Sequence, residues 1–446
     1  MLEHTPVSPQ EAEDLLRAFI HEQKKVAVAV SGGADSMALL WLLARLNSGP
    51  EIVALTVDHG LRPAAAEEAK AVASWCSEKK IAHKTLVWHG EKPATGIQAQ
   101  ARYNRYRLLI EACKAEQIDT LLTAHNLDDQ AETVFARLAR ASGPRGLGAM
   151  SDETRIAVGA GVPMTLARPL LGIPRGRLRA TAKEEGLPFF DDPSNDDAAF
   201  ERVRHRAFLA AVEAQDLLEK KMLVTLAAKM RTATALQEKL LIGLQKKTDS
   251  YITGSGAVCL DAGRFHALPE PEKKLLLARL VHAAGGQSFE PAEDAVGAAL
   301  TALETSDSAT CGGALLKKGK NALYITREPS ALLGRKDQPG VLRYEVQPDT
   351  RQVLWDDRLI VTLPETPPTA TRLTLKPIGD NGRGPQLQRL MVSTLPALWH
   401  DDAIMAVPSY AKKILPPARA PWNGGTTTLD ISLLIKERLE RQVVRF

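Results

Sequence analysis

"VAVAVSGGADSMALL", from Val26 to Leu40, is the stretch that decides the fold of the first part of the chain. An apolar run rich in valine ends at Ser31-Gly32-Gly33, and a helical apolar pattern begins shortly after. Glycines at such a turn let the backbone approach a ligand closely, and the helix that follows offers unpaired N–H groups and the positive end of its dipole. The stretch therefore predicts an anion site, most naturally for phosphate.

Asp35 carries the next inference, because an aspartate at an anion site would repel phosphate unless a cation lay between them. It is predicted to bind Mg²⁺ directly or through water; a tight turn capped by Asp35 or Ser36 is the structural alternative. The loop has neither the G-x-x-x-x-G-K-[ST] pattern of a Walker loop nor the G-x-G-x-x-G pattern of a dinucleotide site. The pattern S-G-G-x-D-S resembles the PP-loop of the ATP pyrophosphatase superfamily, whose members cleave ATP between the α and β phosphates.

The first 190 residues alternate between strand and helix patterns, which predicts a parallel sheet wrapped by helices with right-handed crossovers. The predicted strands are 24–30, 52–57, 82–88 and 120–124, and the predicted helices are 36–46, 64–79, 98–116 and 128–140. An irregular strand pair at 155–168 and a helix at 175–186 follow. The fold class is therefore α/β, with an open parallel-sheet PP-loop domain at the N-terminus.

The rest of the chain has a different pattern, mostly of long apolar-periodic helix. Helices are predicted at 206–247, 268–284 and 292–304, a hairpin at 311–328 and two short strands at 352–363. A chain of 446 residues is long enough for two or three domains. The sequence thus predicts a PP-loop domain, a mostly helical middle domain and a small mixed α/β C-terminal domain, with boundaries at 1–205, 206–330 and 331–446.

The composition is that of an ordinary soluble protein, with 44% hydrophobic and 25% charged residues. No apolar run is long enough to span a bilayer, and the opening "MLEHTPVSPQEAEDLL" has no apolar signal-peptide core. We therefore expect a cytoplasmic protein with no membrane partner. The four cysteines lie far apart and form no C-x-x-C pair, so neither a zinc site nor a disulfide framework is indicated: Cys76, Cys113, Cys259 and Cys311.

The net charge of +4 is unevenly distributed. From Ala331 to Phe446 there are 16 basic and 12 acidic side chains, and the 41 basic and 41 acidic side chains of the remaining chain balance. The whole excess therefore lies in the C-terminal quarter. This is a mild indication of a polyanionic partner for that part, although a solvated basic face is the simpler explanation.

Two further motifs follow predicted strands: "TVDHGLR" at 56–62 and "TAHNLDDQAET" at 123–133. In an open parallel sheet, ligands bind outside the carboxyl ends of the strands, where the strand order reverses. If the first and fourth strands are neighbours, His125, Asp128 and Asp129 face the PP-loop. Paired acids beside a phosphate loop suit Mg²⁺, although capping of the following helix is an alternative. His125 is expected to act as a cation or a general base beside an α-phosphate.

Two groups of arginines complete the candidate site. "QAQARYNRYRLL" (98–109) places Arg102 and Arg105 near one side of a helix, together with two tyrosines. "DDPSNDDAAFERVRHR" (191–206) places three arginines at a predicted domain boundary: Arg202, Arg204 and Arg206. Beside a crevice that holds ATP and RNA they would neutralise developing negative charge; ordinary solvated charge is the alternative for both groups.

Taken together, SGGADS, VDHGLR, ARYNRY, TAHNLDDQAET, RPLL and DPSN resemble the tRNA(Ile)-lysidine synthetase family over about residues 24–206. "STLPALW" and "AIMAVPS", within 393–409, resemble the C-terminal domain of that family more weakly. Two positions depart from the family pattern. Val203 stands where the family has Asn, and Asn126 stands where a second His is common.

The resemblance implies ATP-dependent attachment of free L-lysine to C2 of cytidine 34 in the CAU anticodon of an isoleucine tRNA. Adenylation of the carbonyl oxygen on C2 of the base ring would turn it into a good leaving group, AMP. The reaction would release AMP and pyrophosphate. The implied cofactors are ATP and Mg²⁺, and the implied partners are tRNA(Ile) and L-lysine. The middle and C-terminal domains are expected to contact the tRNA.

The resemblance and the motifs together define three sets of candidate residues. The catalytic set is Asp35, His125, Asp129, Arg202 and Arg206. The ATP-binding set is Ser31, Gly32, Gly33, Ala34, Asp35, Ser36, Val57, Asp58, His59 and Arg102. The metal-binding set is Asp35, Asp128 and Asp129. The residues that select lysine and the oligomeric state are left open.

Three other functions compete with this prediction. A tRNA base thiolase of the same superfamily usually has paired cysteines, which this chain lacks. A glutamine-dependent amidotransferase needs a nucleophilic cysteine, and position 2 here is Leu. A nucleotide-binding regulatory protein without catalysis would not need the acids, the histidine and the arginines that surround the loop.

Overall fold

The computed structural model describes residues 4–60, 63–90, 92, 96–191, 201–287, 289–334, 342–347, 350–363, 373–381, 386–400, 403–412, 427–434 and 444–445. The chain divides into two compact units, Met1–Leu236 with Val443–Phe446, and Gln237–Gln442. The predicted three-domain boundaries therefore stay a prediction. Residues 206–236 belong to the first unit because Leu209, Leu223 and Ala227 share a buried cluster with Ala131 and Val134.

The first unit begins with alternating helices and strands. They are α1 Pro9–Ile20, β1 Lys25–Ala29, α2 Ala34–Ala44, β2 Glu51–Asp58, α3 Pro63–Glu78, β3 Ala82–Val87, α4 Ile97–Ala115, β4 Thr120–Leu122, α5 Leu127–Ala139, α6 Pro144–Leu147, β5 Glu153–Ala157, β6 Met164–Ala167 and α7 Arg175–Glu184. Two helices follow, α8 Glu201–Glu213 and α9 Lys220–Lys247. The predicted single helix at 206–247 is broken in two, and Asp216 in the break has a left-handed backbone (φ 55°) that no helix continues through.

The second unit contains shorter elements. They are β7 Tyr251–Ile252, β8 Val258–Asp261, α10 Ala262–His266, α11 Glu270–Ala284, α12 Glu293–Thr305, β9 Ser308–Cys311, β10 Ala314–Lys318, β11 Ala322–Arg327, α13 Ser330–Leu333, β12 Tyr344–Val346, β13 Gln352–Trp355, β14 Leu359–Thr362, β15 Leu373–Pro377, α14 Gln386–Ser393, β16 Pro396–His400, β17 Ala403–Pro408, α15 Ser409–Lys412 and β18 Thr427–Leu433. A 3₁₀ turn spans Gly379–Asn381. The last strand, β19 Val444–Arg445, belongs to the first unit.

The first unit is built on a seven-stranded sheet in the order β19-β5-β6-β4-β1-β2-β3. Strand β1 pairs in parallel with both β2 and β4, so the predicted neighbours are confirmed and the strand order reverses between β1 and β4. The irregular pair, β5 and β6, is antiparallel. Apolar clusters cover both faces of the sheet, which explains why the central strands read as continuous apolar runs. This topology places the ends of β1 and β4 side by side.

The second unit contains two sheets within the described residues. A five-stranded antiparallel sheet has the order β7-β8-β11-β10-β9, and a seven-stranded mixed sheet has the order β12-β15-β16-β17-β18-β14-β13. Each has its own buried cluster. The first sheet lies in the segment predicted to be mostly helical. The hairpin predicted at 311–328 is its β10–β11 pair. The other three strands are two to four residues long, too short for alternation to be read reliably beside long helices.

Two expectations from composition can be compared with the structure. The four cysteines are all buried and unpaired, and burial raises the pKa of the Cys113 thiol to about 12. This fits inert structural thiols. In the described part of the chain, no helix has both the length and the apolar character needed to cross a bilayer.

Candidate active site

The PP-loop connects β1 to α2 at the edge where the strand order reverses. Gly32 has φ +82°, a left-handed conformation that favours glycine. Ser36 closes the loop, since its Oγ accepts a hydrogen bond from the Ser31 N–H (3.1 Å) and donates one to the Gly33 carbonyl (2.9 Å). Gly33 is the N-cap of α2 and supplies no capping side chain. The start of α2 therefore has no capping side chain over it, which fits the predicted anion site.

The start of α5 lies beside this loop and holds Asp35 in place. Asn126 Nδ2 donates to Asp35 Oδ2 at 2.9 Å. Asn126 is also the N-cap of α5: its side chain accepts from the Asp129 N–H (3.0 Å), and Asp129 Oδ2 accepts from the Asn126 N–H (3.1 Å). This is a capping box. The residue that departs from the family pattern thus caps a helix and bridges two strand ends.

Asp128 and Asp129 both contact cations. Asp129 Oδ1 accepts from Arg175 Nη2 at 2.8 Å and from Arg202 Nη2 at 2.6 Å. Asp128 Oδ2 accepts from the backbone N–H of Arg175 at 2.9 Å, and its Oδ1 lies 3.1 Å from Lys220 Nζ. Helix capping, the alternative role for these acids, is therefore present at Asp129 together with ion pairing.

Glu132 lies one turn further along α5, and only 3% of its side chain is exposed. It accepts from Arg202 Nε at 2.6 Å and from Arg206 Nε at 2.8 Å, while Arg175 Nη1 lies 3.8 Å away. The described residues thus form an acid–arginine cluster, in which the carboxylates and cations are equal in number. Its members are Asp35, Asp128, Asp129, Glu132, Arg175, Arg202, Arg206 and Lys220.

Three members of the acid–arginine cluster were missed by sequence reasoning: Glu132, Arg175 and Lys220. The sequence does contain a signal for Glu132. It lies three residues after Asp129, within the motif at 123–133, so a helix places the two side chains on one face. Arg175 begins α7, 46 positions from Asp129, and no local pattern marks it. Lys220 begins α9 and pairs with Glu213 as well as with Asp128.

The acidity of the cluster carboxyls differs with their surroundings. Burial raises the pKa of Asp35 to about 6, against the attraction of Arg175 and with further repulsion from Asp129 and Asp128. Burial would also raise the pKa of Asp128. The backbone N–H of Arg175 and the Lys220 ammonium nevertheless hold it below its ordinary value. Asp35 is therefore the carboxyl in greatest need of a further cation.

His125 lies at the end of β4, with Nδ1 2.9 Å from Thr123 Oγ1. Burial lowers the pKa of His125 to about 3, and repulsion from four arginines adds to the shift: Arg105, Arg168, Arg202 and Arg102. The imidazole is therefore neutral at physiological pH. These surroundings disfavour the predicted cation, and the general-base role stays a prediction.

The remaining predicted ATP-binding residues lie at the end of β2 and on α4. Val57 and Asp58 end β2, and Asp58 Oδ1 accepts from the Gly60 N–H at 2.8 Å. His59 meets the Trp88 ring edge-on at 6.2 Å between centroids. Burial, followed by repulsion from Arg105, lowers the pKa of His59. The Arg102 guanidinium lies 5.0 Å from the centroid of the Tyr106 ring. Positions 61 and 62 of the motif lie outside the described residues.

The fit to Mg²⁺ differs among the predicted metal ligands. Within the described ranges, no three His, Cys, Asp or Glu side chains are grouped so as to hold a metal. Mg²⁺ is commonly bound by one or two carboxylates together with substrate phosphates. Asp35 fits that role because it lies beside the phosphate loop and its pKa is raised by burial. Both oxygens of Asp128 and of Asp129 have protein partners, so their metal role stays a prediction.

The last motif of the set is only partly described. Residues 192–200, which include DPSN, lie outside the described residues. Asp191, just before them, pairs with Arg179 at 2.7 Å. On α8, Arg202 and Arg206 reach the acid–arginine cluster, while Val203 is half-buried. The valine carries no hydrogen-bonding group, so the polar contact of the family's Asn is absent from this side chain.

Comparison with known proteins identifies the family of the chain. Residues 6–213 match the model of a PP-loop domain. The tRNA(Ile)-lysidine synthase of Bradyrhizobium diazoefficiens is 40% identical over 320 residues, which cover 70% of this chain and 86% of that protein. The tRNA(Ile)-lysidine synthase of Rhodopseudomonas palustris is 42% identical over 283 residues, covering 62% and 80%. The chain belongs to the tRNA(Ile)-lysidine synthase family.

Membership in this family confirms the predicted family, the PP-loop α/β fold class and the ligase class of enzyme. It also establishes the use of ATP. A U34-tRNA thiolase of Methanococcus maripaludis, which has a [4Fe-4S] cluster, is a solved structural neighbour. It is 19% identical with a TM-score of 0.42, covering 50% of this chain and 78% of that chain. A likeness of this size carries no weight for the thiolase alternative.

Proposed function

We propose that this member of the tRNA(Ile)-lysidine synthase family joins L-lysine to C2 of the cytidine at the first anticodon position of a CAU-bearing isoleucine tRNA. The observation that carries the proposal is the acid–arginine cluster beside the PP-loop, at the point where the strand order of the sheet reverses. The family to which the chain belongs supports the same reaction. ATP is consumed to AMP and pyrophosphate, and the protein acts in the cytoplasm.

The first half-reaction activates the cytidine. The N–H groups at the start of α2 bind the β and γ phosphates. The carbonyl oxygen on C2 of the cytosine base attacks the α-phosphorus. Arg202 and Arg206 reach the same place from α8 and offset the negative charge that develops there. Mg²⁺, held by Asp35 and the phosphates, supplies further neutralising charge when bound. Pyrophosphate leaves, and the product is an adenylated cytidine. In the second half-reaction the lysine amine attacks C2, and AMP leaves.

The second half-reaction needs a neutral amine on lysine and a base to receive its proton. Thr123 Oγ1 lies 2.9 Å from His125 Nδ1 and holds the imidazole in place. A neutral imidazole carries one N–H and one lone pair, and we propose that the lone pair on Nε2 faces the amine. Because burial and the arginines hold the pKa of His125 at about 3, the ring orients the amine by accepting a hydrogen bond, and solvent takes the proton in the end.

A single incubation tests the reaction. The protein is mixed with ATP, labelled L-lysine and bulk tRNA, and the digested tRNA is analysed for labelled nucleosides. We expect a lysine-bearing cytidine, with AMP and pyrophosphate formed in equal amounts to it. A stem-loop with uridine in place of the first anticodon cytidine serves as the matched control and should take up no label. Release of ADP and phosphate, or sulfur incorporation without lysine, would contradict the proposal.

A further inference from the structure

The acid–arginine cluster is continued along α5 and α8 by an aromatic pair. Phe135 on α5 is partly buried against the cluster of Ala131, Val134 and Leu209. Phe208 on α8 stacks on Phe135, with ring centroids 5.0 Å apart and planes inclined by 22°. The outer face of Phe208 is open, and 51% of the residue is exposed. The partly buried Phe135 ring thus supports the Phe208 ring at the surface.

The position of this pair relative to the site follows from helical spacing. Phe135 lies three residues after Glu132 on α5, and Phe208 lies four residues after Arg204 on α8. Residues three or four apart on a helix are neighbours, and one turn rises about 5.4 Å. The aromatic pair therefore begins about one helical turn from the carboxylates that bind Arg202 and Arg206.

Arginines surround the pair. Residues 134–140 and 201–207 contain five arginines and one acid, Glu201; two of the five, Arg202 and Arg206, bind Asp129 and Glu132. Arg140 is 62% exposed and pairs with that acid. Burial lowers the pKa of Arg137, and repulsion from Arg140 lowers it further, which is the situation that a bound anion relieves. An exposed aromatic ring among arginines is the combination that binds single-stranded nucleic acid.

We propose that Phe208, backed by Phe135, is a stacking platform for an unpaired base of the tRNA anticodon loop, adjacent to the cytidine that is modified. The inference rests on the proposed function and adds to it a residue that binds the neighbouring nucleotide. RNA is favoured over a second copy of the chain because a two-fold contact would bring the same arginines face to face. A base stacks on the ring while its phosphates meet the arginines.

The test uses the full chain and a short anticodon stem-loop RNA with the CAU anticodon. 2-Aminopurine replaces one loop base at a time, leaving the first anticodon cytidine intact, and its fluorescence reports stacking. We expect one loop position to be quenched on binding. Phe208→Ala should abolish that quenching and raise Kd for the stem-loop about tenfold, the scale of one base–aromatic stack. Phe208→Tyr should retain both.

Phe289→Ala is the matched control, because Phe289 is an aromatic of the second unit that is 84% exposed; it should bind the stem-loop like the wild type. ATP affinity should be unchanged in Phe208→Ala, and the melting temperature should fall only slightly through loss of the stack on Phe135, which shows that the variant is folded. Unchanged stem-loop affinity in Phe208→Ala, or a change of oligomeric state in its place, would overturn the platform alone. Failure of the wild-type protein to bind the stem-loop or to form lysidine would overturn the proposed function instead.

Discussion

Two clusters of ionised side chains, one in each unit, differ in their balance and their exposure. In the acid–arginine cluster of the first unit, carboxylates and cations are equal in number, and Arg202 is 56% exposed. In the second unit, Arg327 and Arg358 share Asp356, at 2.8 and 2.6 Å. There the exposed fractions are 6%, 1% and 8%, and the described residues leave one positive charge in excess.

The difference shows which buried charges indicate a site. The Arg327–Asp356–Arg358 triad lies around a tight turn, in which Asp356 and Asp357 both have left-handed backbones with φ of 50° and 52°. Its three side chains are at most 8% exposed, and we infer that it holds the turn. The acid–arginine cluster lies at a sheet edge beside a phosphate loop, and its cations are partly exposed. A buried charge does not by itself indicate a functional site. A cluster of partly exposed charges beside a phosphate-binding loop does.

The largest expected effect is the loss of stability on breaking the Arg327–Asp356–Arg358 triad. Asp356→Asn keeps a side chain that tolerates the left-handed turn but leaves two buried arginines without their carboxylate. We expect a loss of about 3–5 kcal/mol in the free energy of unfolding, the usual result of removing one partner from a buried pair. Urea unfolding followed by circular dichroism measures it. Under native conditions ATP affinity should be unchanged.

Asp357→Asn is the control for that comparison, since Asp357 has the same backbone conformation and is exposed. It should change stability by no more than about 0.5 kcal/mol. If Asp356→Asn were as mild as Asp357→Asn, the triad would not be the structural element that its burial indicates.

Removing a charge from the acid–arginine cluster should lower activity. Asp35→Asn preserves an oxygen that can accept from Asn126 Nδ2, but it removes the charge beside the phosphate loop. We expect kcat to fall by about 100-fold or more, on the scale of one electrostatic contact made in the transition state. Steady-state formation of AMP measures the effect. Asp14→Asn, an exposed position on α1, should be silent, and near-normal adenylation in Asp35→Asn would contradict the Mg²⁺ proposal.

The pH dependence of stability tests the acid–arginine cluster in a second way. The pKa of Asp35 is raised from 3.8 to about 6, so the folded state binds more protons than the unfolded state between these values, and stability falls as pH rises through this window. The loss is about 2 kcal/mol, after allowance for the 26% exposure of the side chain. Melting of the ligand-free protein from pH 4 to pH 8 measures it.

Asp35→Asn provides the control for the pH experiment. It removes the titrating carboxyl, so the difference in melting temperature between variant and wild type should favour the variant above pH 6 and vanish near pH 4. A difference that is independent of pH would mean that the carboxyl does not titrate in this window. In the expected outcome, Asp35→Asn is stabler than the wild type above pH 6 and less active. This is expected where a site holds a poorly solvated charge for function.

The sequence predicted the parts of the site that local chemistry determines. Ser31-Gly32-Gly33 could be identified as a phosphate loop because a turn, a strand end and a helix start are all encoded within a few residues. His125 and Asp129 followed from a motif at a strand end. Arg175 could not be found in this way, because its contacts with Asp35 and Asp129 exist only once β1 and β4 are adjacent.

The second unit was less predictable for the same reason. Its five-stranded sheet pairs short strands that are distant in sequence, as β8 and β11 are. The Arg327–Asp356–Arg358 triad likewise joins residues 29 positions apart. A single arginine and a pair of aspartates in a turn have no pattern of their own. Long-range pairing, rather than residue type, decides what such side chains do.

The smallest expected effect tests whether the second unit binds tRNA through its excess charge. We propose that the C-terminal quarter contacts tRNA phosphates, and each such contact adds about one to the slope of log affinity against log salt. Truncation after Glu328 is a poor test because it would remove Asp356 from the buried Arg327. Arg351→Gln and Arg389→Gln alter exposed side chains instead, and together they should lower the slope by about two. Arg17→Gln, equally exposed on α1, should leave it unchanged. An unaltered slope in the double variant would leave these two arginines as solvated surface charge.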